Sequence, residues 1–302
     1  MDKNLTVSIE NTNIKKARKK PENIDKKIIF SVYFFFAVLY AVYCIWPLFW
    51  AFYNSLKSVG EYYESTVAFP KVWDFGYYLA IFNRFEIGSH GFWEMTFNSI
   101  WMAFGRQILE TLASMLVAYP LARYKFIGKN FFYGIIVFRI TIPIIGGGGA
   151  AYRLLRALNM INNPLNYSLT WFVGFDMHAL IMYGYFKNIS KEYSEAAFID
   201  GATKFRTLFE VVFPQAWPCI LALYVSSVMN TWNDYSTAML YLPKYPNLSY
   251  GIYLFQNEVL FIEGGTPMFY WAIILSSIVP LVLFAGGQKT MLSNMSVGGF
   301  KG

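Results

Sequence analysis

The feature that most constrains this chain is an uncharged apolar run of 29 residues, Ile28–Leu56. About 20 such residues cross the hydrocarbon core of a bilayer as a helix. The hydrophobic segment of a cleavable signal peptide is only about 7–15 residues long. Composition agrees with a membrane location, because 56% of the residues are hydrophobic and 14% are charged. We therefore expect a membrane protein whose first span is retained.

Further apolar runs predict an all-α integral membrane protein with six transmembrane helices. The predicted spans lie near residues 28–56, 95–122, 131–152, 168–187, 217–242 and 268–287. Before them, residues 1–27 form a polar, basic arm. The transmembrane domain then covers residues 28–290, and residues 291–302 form a C-terminal tail.

The basic residues predict the orientation of these spans. With the N-terminus inside, cytoplasmic segments hold 17 Lys and Arg residues, outside segments hold six, and two lie within spans. Cytoplasmic loops carry such an excess, so both termini are expected in the cytoplasm. The net charge of +7 is gathered at the ends of apolar runs. It therefore indicates contact with membrane lipid and not with nucleic acid.

A polar stretch at about 188–215 separates the fourth and fifth predicted spans on the cytoplasmic side. It reads as a short helix from Lys191 to Ile199, capped by Ser190, and a turn at Asp200-Gly201. A second helix follows, and Pro214 is expected to break it before the fifth span. A helix of nine residues is marginal alone in water. It is expected either to dock on a partner or to lie on the lipid headgroups.

The amino-acid sequence of this stretch resembles a motif of a known family. "EAAFIDGA", Glu195 to Ala202, with Pro214 further on, resembles the EAA loop of ABC-importer permeases, and its Asp-Gly-Ala version is typical of the carbohydrate-uptake branch. Other segments also resemble this family: Phe97–Lys129, Thr231–Leu242 and the tail Val297–Gly302, which is similar to that of the maltose-type second permease. The similarity covers most of the chain after residue 28.

This resemblance implies a multi-pass permease subunit in a bacterial cytoplasmic (inner) membrane, part of an ATP-driven importer of oligosaccharides or polysaccharide fragments. Its implied partners are a second permease subunit forming a heterodimer, two ATPase subunits and an extracytoplasmic sugar-binding protein. The short helix would dock in the ATPase, with Glu195 forming a salt bridge to an ATPase arginine. Asp200 and Gly201 would supply the bend. The resemblance places the close contacts at Ala196, Ala197 and Ala202.

The chain itself offers little chemistry. It contains no G-x-x-x-x-G-K-[ST] phosphate loop, so ATP and Mg are expected on the partner ATPase and no cofactor on this chain. His90 and His178 give no metal-ligand spacing, and neither histidine forms a plausible nucleophile–base arrangement with a serine or cysteine in the sequence. We therefore expect no catalytic, cofactor or metal site, and a protein that is not an enzyme.

Residues that are costly in lipid mark a candidate pathway. Asp234 either faces a cavity or caps a broken helix. Beside it, Trp232, Asn233 and Tyr235 are candidate pathway-lining residues, since aromatic rings can stack on sugars. Arg106 and Glu110, four residues apart, are expected to neutralise each other as a structural pair.

A glycine-rich stretch in the third predicted span leaves two interpretations open. Pro143 and Gly146–Gly149 interrupt the apolar pattern. Irregular backbone survives at membrane depth only when it is buried in protein or lines water. The stretch therefore either lines the pathway or simply ends the span.

Three other functions compete with sugar import. An ABC permease could carry a non-sugar solute such as peptides or osmolytes. An ion-coupled secondary transporter would show internal repeats and a relay of ionisable residues. A membrane anchor would leave the docking helix unexplained.

Overall fold

Within residues 24–142, 146–262 and 264–295, which the computed structural model describes, the chain is almost entirely helical. Its α-helices are α1 (Ile24–Asn54), α2 (Val59–Glu64), α3 (Gly76–Arg84), α4 (Phe92–Ile100), α5 (Arg106–Arg123), α6 (Lys129–Thr141), α7 (Gly148–Ala157), α8 (Pro164–Ser168), α9 (Met177–Asn188), α10 (Glu192–Ile199), α11 (Lys204–Arg206), α12 (Phe213–Trp232), α13 (Tyr235–Tyr241), α14 (Leu248–Glu258) and α15 (Gly265–Met295). Residues 1–23 of the predicted basic arm and 296–302 of the predicted tail lie outside the described part.

Shorter elements join these helices. Two segments have the wider π-helical geometry, Trp101–Gly105 and Thr207–Val212. Two are 3₁₀ turns, Leu169–Trp171 and Val259–Phe261. A small antiparallel hairpin pairs β1 (Glu86–Ile87) with β2 (His90–Gly91) between helices, and the described chain is otherwise helical, as the sequence predicted.

Among the described residues, three helical stretches are long and apolar enough to cross a membrane. They are Lys27–Asn54, Lys204–Trp232 and Gly265–Lys289. They coincide with the first, fifth and sixth predicted spans. The second predicted span is also helical throughout, from Phe92 to Arg123, although the π-helical segment interrupts its regular geometry.

The third predicted span is interrupted at its glycine-rich stretch, as the apolar pattern indicated, and the long helix of the fourth begins later than predicted. In the third, α6 ends at Thr141, and α7 begins as a separate helix at Gly148. Gly146 between them has φ +80°, which a helix cannot continue through. Pro143 lies outside the described residues. In the fourth, regular α-helix begins only at Met177, because Asp176 is extended and caps α9.

The prediction that Pro214 breaks the helix is also wrong. From α11 the chain runs through the π-helical segment Thr207–Val212 directly into α12, with Pro214 in its first turn. Proline lacks an N–H and clashes with the carbonyl four residues earlier. A wider turn bonded from i to i+5 removes this conflict, so the helix passes the proline unbroken.

The chain divides into two units, one ending at Trp50 and one beginning at Ala51. In the first unit, all side chains from Lys27 to Phe49 are exposed, as expected of an apolar helix that meets lipid. The second unit contains buried clusters. One gathers around Trp232 and Phe255, and another joins α5, α9 and α12 around Met115 and Phe186.

Candidate functional sites

Helix α10 and its flanking turns form a short loop element, which we call the 188–204 loop. The helix begins at Glu192, and Ser190 Oγ accepts a hydrogen bond of 3.3 Å from the Glu192 N–H. Asp200 is its C-terminal cap, and Gly201 follows with φ +79°. The Ala202 N–H donates to the Ala197 carbonyl at 2.9 Å, which closes the turn. The predicted helix and the predicted Asp200-Gly201 turn are confirmed.

The outer face of this loop combines charge and apolar surface. Glu195 and Ala196 are exposed, whereas Ala197 and Ala202 are half covered by the chain itself. Sequence reasoning stressed the alanines and missed three large exposed side chains, which are Tyr193, Phe198 and Ile199. Ile199 is 86% exposed. Large apolar residues in an otherwise polar segment were the available signal, since such exposed groups mark interaction surfaces.

Both ends of the 188–204 loop contact the C-terminal end of α5. Arg123 reaches the Ser190 carbonyl at 3.5 Å on one side. On the other side, the Lys204 ammonium lies 5.1 Å from the centre of the Tyr124 ring, a distance at which a cation is attracted to an aromatic face. Thr203 then caps the next helix by accepting from the Arg206 N–H at 3.3 Å. The loop is therefore an exposed projection with anchored ends.

A second constellation brings charged residues of several helices together, and we call it the polar cluster. It consists of Arg106, Glu110, Asp176, His178 and Asp234. Arg106 Nε lies 3.6 Å from Glu110 Oε2, and its NH1 lies 3.8 Å from Asp234 Oδ2. His178 Nδ1 lies 3.7 Å from Glu110 Oε1. The predicted Arg106–Glu110 pair is therefore present, and it belongs to a larger network.

Asp176 is the most heavily bonded member of the polar cluster. Its Oδ1 accepts from Ser114 and from the Ala179 N–H, both at 2.9 Å. Its Oδ2 lies 3.3 Å from His178 Nδ1. The other ring nitrogen of His178 lies 2.7 Å from Ser227 Oγ. These bonds link α5, α9 and α12 in the way that buried polar networks fix the arrangement of helices.

Gly174 allows this network to form. It has φ +68°, and a Cβ at this position would lie 2.6 Å from the Ala113 carbonyl oxygen of α5. Only glycine fits so close an approach with this backbone conformation. The extended residues before α9 can therefore press against α5, which places Asp176 beside Ser114.

The polar cluster also contains a set of possible metal ligands. Glu110, Asp176 and His178 each offer one ligand atom, and these three atoms lie within 4.8 Å of one another. Sequence spacing could not reveal this set, or the contact of His178 with Ser227, because the residues come from different helices. The bonds from Ser114, Ala179 and Ser227 already use oxygens of Asp176 and a nitrogen of His178. The arrangement therefore serves as a hydrogen-bonded bridge between helices.

The predicted pathway residues differ from one another in their burial and contacts. Trp232 is 1% exposed, and its indole N–H donates to the Ser276 carbonyl at 3.0 Å, so it is packed in the core of this structure. Its place on the pathway stays a prediction. Tyr235 is stacked on Tyr253, with ring centres 4.7 Å apart. Asn233 is exposed and donates to the Met229 carbonyl.

Asp234 caps a broken helix, which is the second of the two interpretations left open by the sequence. Its side chain caps α13 by accepting from the Thr237 N–H at 3.1 Å. The same carboxylate lies near Arg106 and so belongs to the polar cluster. Helix α12 ends at Trp232, and the chain restarts as α13, so the predicted fifth span to residue 242 is two helices.

A cavity of about 110 Å³ adjoins the polar cluster. It is lined by Arg106, Glu110, Arg139, Tyr167, Thr170, Trp171, Val173 and Asp176. One wall is aromatic, since the Tyr167 and Trp171 rings meet edge to face with centres 5.9 Å apart. Polar groups beside aromatic rings are typical of small-molecule sites.

Comparison with known proteins agrees with this architecture. Residues 110–293 match the family described as "Binding-protein-dependent transport system inner membrane component". The chain belongs to this family. The matched range holds most of α5, the 188–204 loop, α12 and nearly all of α15. Membership confirms the expected permease subunit of an ABC importer, a membrane component that is not itself an enzyme.

Curated relatives of this permease span nearly the same length. The diacetylchitobiose uptake system permease protein NgcG of Streptomyces coelicolor is 26% identical, over 87% of this chain and 86% of the relative. The sulfoquinovosyl glycerol transport system permease protein SmoH of Agrobacterium fabrum is 27% identical, over 85% of this chain and 89% of the relative. The galactooligosaccharides transport system permease protein GanQ of Bacillus subtilis is 27% identical, over 87% of this chain and 92% of the relative.

A solved structure shows the same fold. It is a chain from a bacterial ABC transporter involved in the import of the acidic polysaccharide alginate, and it matches with a TM-score of 0.71 at 22% identity. The match covers 88% of this permease and 97% of that chain. The permease therefore has the fold of an ABC-importer membrane subunit.

Proposed function

We propose that this permease is one transmembrane subunit of an ATP-driven importer of oligosaccharides or polysaccharide fragments, and that it forms half of the translocation pathway. The names of these relatives refer to sugars or sugar conjugates, and the family is one of binding-protein-dependent transport. The cavity beside the polar cluster, with its aromatic and polar lining, supports a carbohydrate substrate.

The proposed assembly contains four kinds of partner. A second permease completes a heterodimer, two ATPase subunits bind ATP and Mg, an extracytoplasmic binding protein delivers the sugar, and lipid surrounds the helices. The transporter whose chain shares a TM-score of 0.60 with this permease was solved with a pentasaccharide-bound periplasmic protein. The apolar runs predict six spans, and the excess of basic residues predicts two cytoplasmic termini in a bacterial inner membrane.

The observation that carries the coupling proposal is the shape of the 188–204 loop. A helix of eight residues cannot be stable by itself in water, yet it exposes Tyr193, Ile199 and Glu195. It therefore fits the groove of an ATPase subunit, with its apolar side chains buried and Glu195 facing a cation. Ala196 stands at the contact, and Asp200, Gly201, Ala197 and Ala202 form and support the turn. Since both ends of the loop contact α5, a movement of the ATPase would reach the helices of the polar cluster.

Reversal of the charge at position 195 tests this proposal. In the complete transporter, Glu195→Lys is expected to lower ATP-driven sugar uptake by about tenfold or more, because one charge-assisted contact contributes roughly 1.5–3 kcal/mol. Glu192→Lys is a matched control, since Glu192 is an exposed glutamate of the same helix. Membrane levels of both variants are measured by immunoblot. Normal uptake by Glu195→Lys at normal levels would argue against coupling through this loop.

The cargo is tested separately from the coupling. Affinity of the cognate binding protein for a panel of oligosaccharides, peptides and osmolytes distinguishes sugar import from import of another solute. Uptake that collapses with an ion gradient and continues without ATP hydrolysis would favour an ion-coupled transporter.

A further inference from the structure

Residues 58–79, which we call the outer segment, carry large apolar side chains between the end of α1 and the first turn of α3. The segment directly follows the first predicted span and lies on the predicted outer side of the membrane. Exposed apolar groups in such number mark an interaction surface. Seven of its aromatic or aliphatic side chains are more than half exposed, and we call them the outer apolar residues: Tyr63, Val67, Phe69, Val72, Trp73, Phe75 and Leu79.

Buried side chains at the end of α1 hold the backbone of the outer segment. Tyr53, Asn54 and Lys57 donate to the carbonyls of residues 67, 66 and 65, at 3.1, 3.2 and 2.8 Å respectively. All three donors are buried. Three consecutive carbonyls are therefore bonded to the end of the first span, and the outer apolar residues are carried by a fixed backbone.

Contacts with α15 place the outer segment at the boundary of a second apolar span. The hydroxyls of Tyr62 and Tyr270 lie 2.7 Å apart, and the Tyr78 ring stacks on Trp271 with centres 3.9 Å apart. Tyr270 and Trp271 lie in the second turn of α15, in a stretch, Gly265–Lys289, that is long and apolar enough to cross a membrane. The segment is therefore joined to the beginning of one span and to the end of another.

The charged side chains of the outer segment are bonded within it. The Lys71 ammonium pairs with Glu64 at 2.7 Å, and the Lys71 backbone N–H donates to Glu61. Asp74 accepts from the Gly76 N–H at 2.8 Å. These four are the charged residues of 58–79. What the segment offers to its surroundings is therefore mainly aromatic and aliphatic surface.

We propose that the outer segment lies in the headgroup layer of the outer leaflet and holds the outer ends of α1 and α15 at a fixed depth. Aromatic residues concentrate at membrane–water boundaries, where one part of the side chain meets acyl chains and another meets water. The segment joins two apolar spans at such a boundary. Its net charge is −2, from three acidic residues and one basic residue. Attraction to anionic lipid therefore does not drive this contact, which depends on apolar burial.

The depth of single residues in a bilayer tests the proposal. The complete transporter, with its exposed cysteines, Cys44 included, replaced by serine, is placed in nanodiscs of zwitterionic lipid. A nitroxide is attached to Val67→Cys or Trp73→Cys, and its collisions with oxygen and with an aqueous nickel chelate are compared. Both labels are expected within about 5–10 Å of the headgroup–acyl boundary, at low and at high salt. Asn257→Cys, an exposed polar position of α14 on the same predicted side, is the aqueous reference.

A double variant separates anchoring from folding. Val72→Ser with Trp73→Ser removes two outer apolar side chains and leaves in place the bonds to carbonyls 65–67. It should raise the nickel collision rate of a label at Val67→Cys about threefold, because interfacial binding scales with the apolar area buried. Trp73→Tyr, which keeps an interfacial aromatic ring, should leave the rate close to that of the parent. Size-exclusion chromatography and ATP-driven uptake show that each variant is assembled.

Other accessibility patterns would overturn the proposal. A label at Trp73→Cys that meets neither oxygen nor nickel is covered by protein, and a photo-crosslinker at the same position then identifies the second permease. Nickel collisions that disappear when the loaded binding protein is added show a docking site for that protein. Nickel collisions as frequent as at Asn257→Cys, with or without the binding protein, show a segment in water. Each of these results leaves the proposed sugar import standing, since uptake is measured separately.

Discussion

The 188–204 loop and the polar cluster both belong to the second unit, yet they differ in how their side chains are satisfied. In the loop, Tyr193 and Ile199 are exposed, and few hydrogen bonds join the outer face of α10 to the rest of the chain. In the polar cluster, Asp176 and His178 are bonded to groups of three helices. Exposed apolar surface indicates a surface that binds another polypeptide, whereas a fully hydrogen-bonded polar network holds helices in place.

This contrast also separates two kinds of sensitivity. A substitution in the loop should change transport while the purified complex stays folded. A substitution in the polar cluster should change the stability of the helix bundle first. Four substitutions, in decreasing order of expected effect, test that separation.

The largest effect is expected at Gly201. Its φ of +79° is unfavourable for a β-branched residue, so Gly201→Val should distort the turn after α10 at a cost of roughly 1–3 kcal/mol. We expect uptake by the complete transporter to fall at least about tenfold, because the docking helix would be misdirected. Gly184→Ala is the control, since Gly184 lies in α9 with ordinary helical backbone and open space around it. Full uptake by Gly201→Val would show that the shape of the turn is not needed.

The next effect is expected at Asp176. Asp176→Ala removes the cap of α9 and leaves Ser114 and His178 without their acceptor. The cap contributes about 1 kcal/mol and each buried group left unpaired costs about 1–3 kcal/mol. We expect the unfolding temperature of the detergent-purified complex to fall by several degrees. Size-exclusion chromatography of heated samples measures this temperature. Asp200→Ala is the control, since Asp200 is exposed. Equal unfolding temperatures for the two variants would contradict the bridging role.

A smaller effect is expected at Arg123. Arg123→Gln shortens the side chain that reaches Ser190, so the loop should lose one of its contacts with α5. We expect stimulation of ATP hydrolysis by the loaded binding protein to fall about threefold, as for one modest hydrogen bond, with normal expression. An unchanged stimulation would mean that the contact with Tyr124 alone anchors the loop.

The smallest effect is expected at Glu210. This residue pairs with Arg206 at 2.7 Å, but both side chains are more than half exposed. Exposed ion pairs contribute little to stability. Glu210→Gln should therefore leave uptake and unfolding temperature unchanged within error. A clear loss of uptake would extend the sensitive region beyond the 188–204 loop.

Local sequence signals predicted the 188–204 loop well. Helix α10, the turn at Asp200-Gly201 and the Arg106–Glu110 pair all depend on neighbours within a few positions, and periodicity and turn chemistry report such neighbours directly. The exposed Ile199 and Phe198 were missed because a search for the small residues of a family motif overlooks the large ones beside them.

Contacts between distant helices could not be predicted in the same way. The bond from Ser227 to His178 and that from Ser114 to Asp176 join positions 49 and 62 residues apart. Hydropathy also placed the start of the fourth span too early. It drew that span from residue 168, since it counts apolar residues and does not detect that Asp176 is extended and caps α9.

The π-helical segment Thr207–Val212 has a consequence for the length of the chain at this point. One residue corresponds to about 100° of rotation around an α-helix. A π-helical turn is bonded from i to i+5 and holds an extra residue, so loss of a single residue here would be absorbed by conversion to a regular turn. A further deletion would rotate everything before it to another side of α12. The proposed docking surface would then point in another direction, even with every side chain of that surface intact.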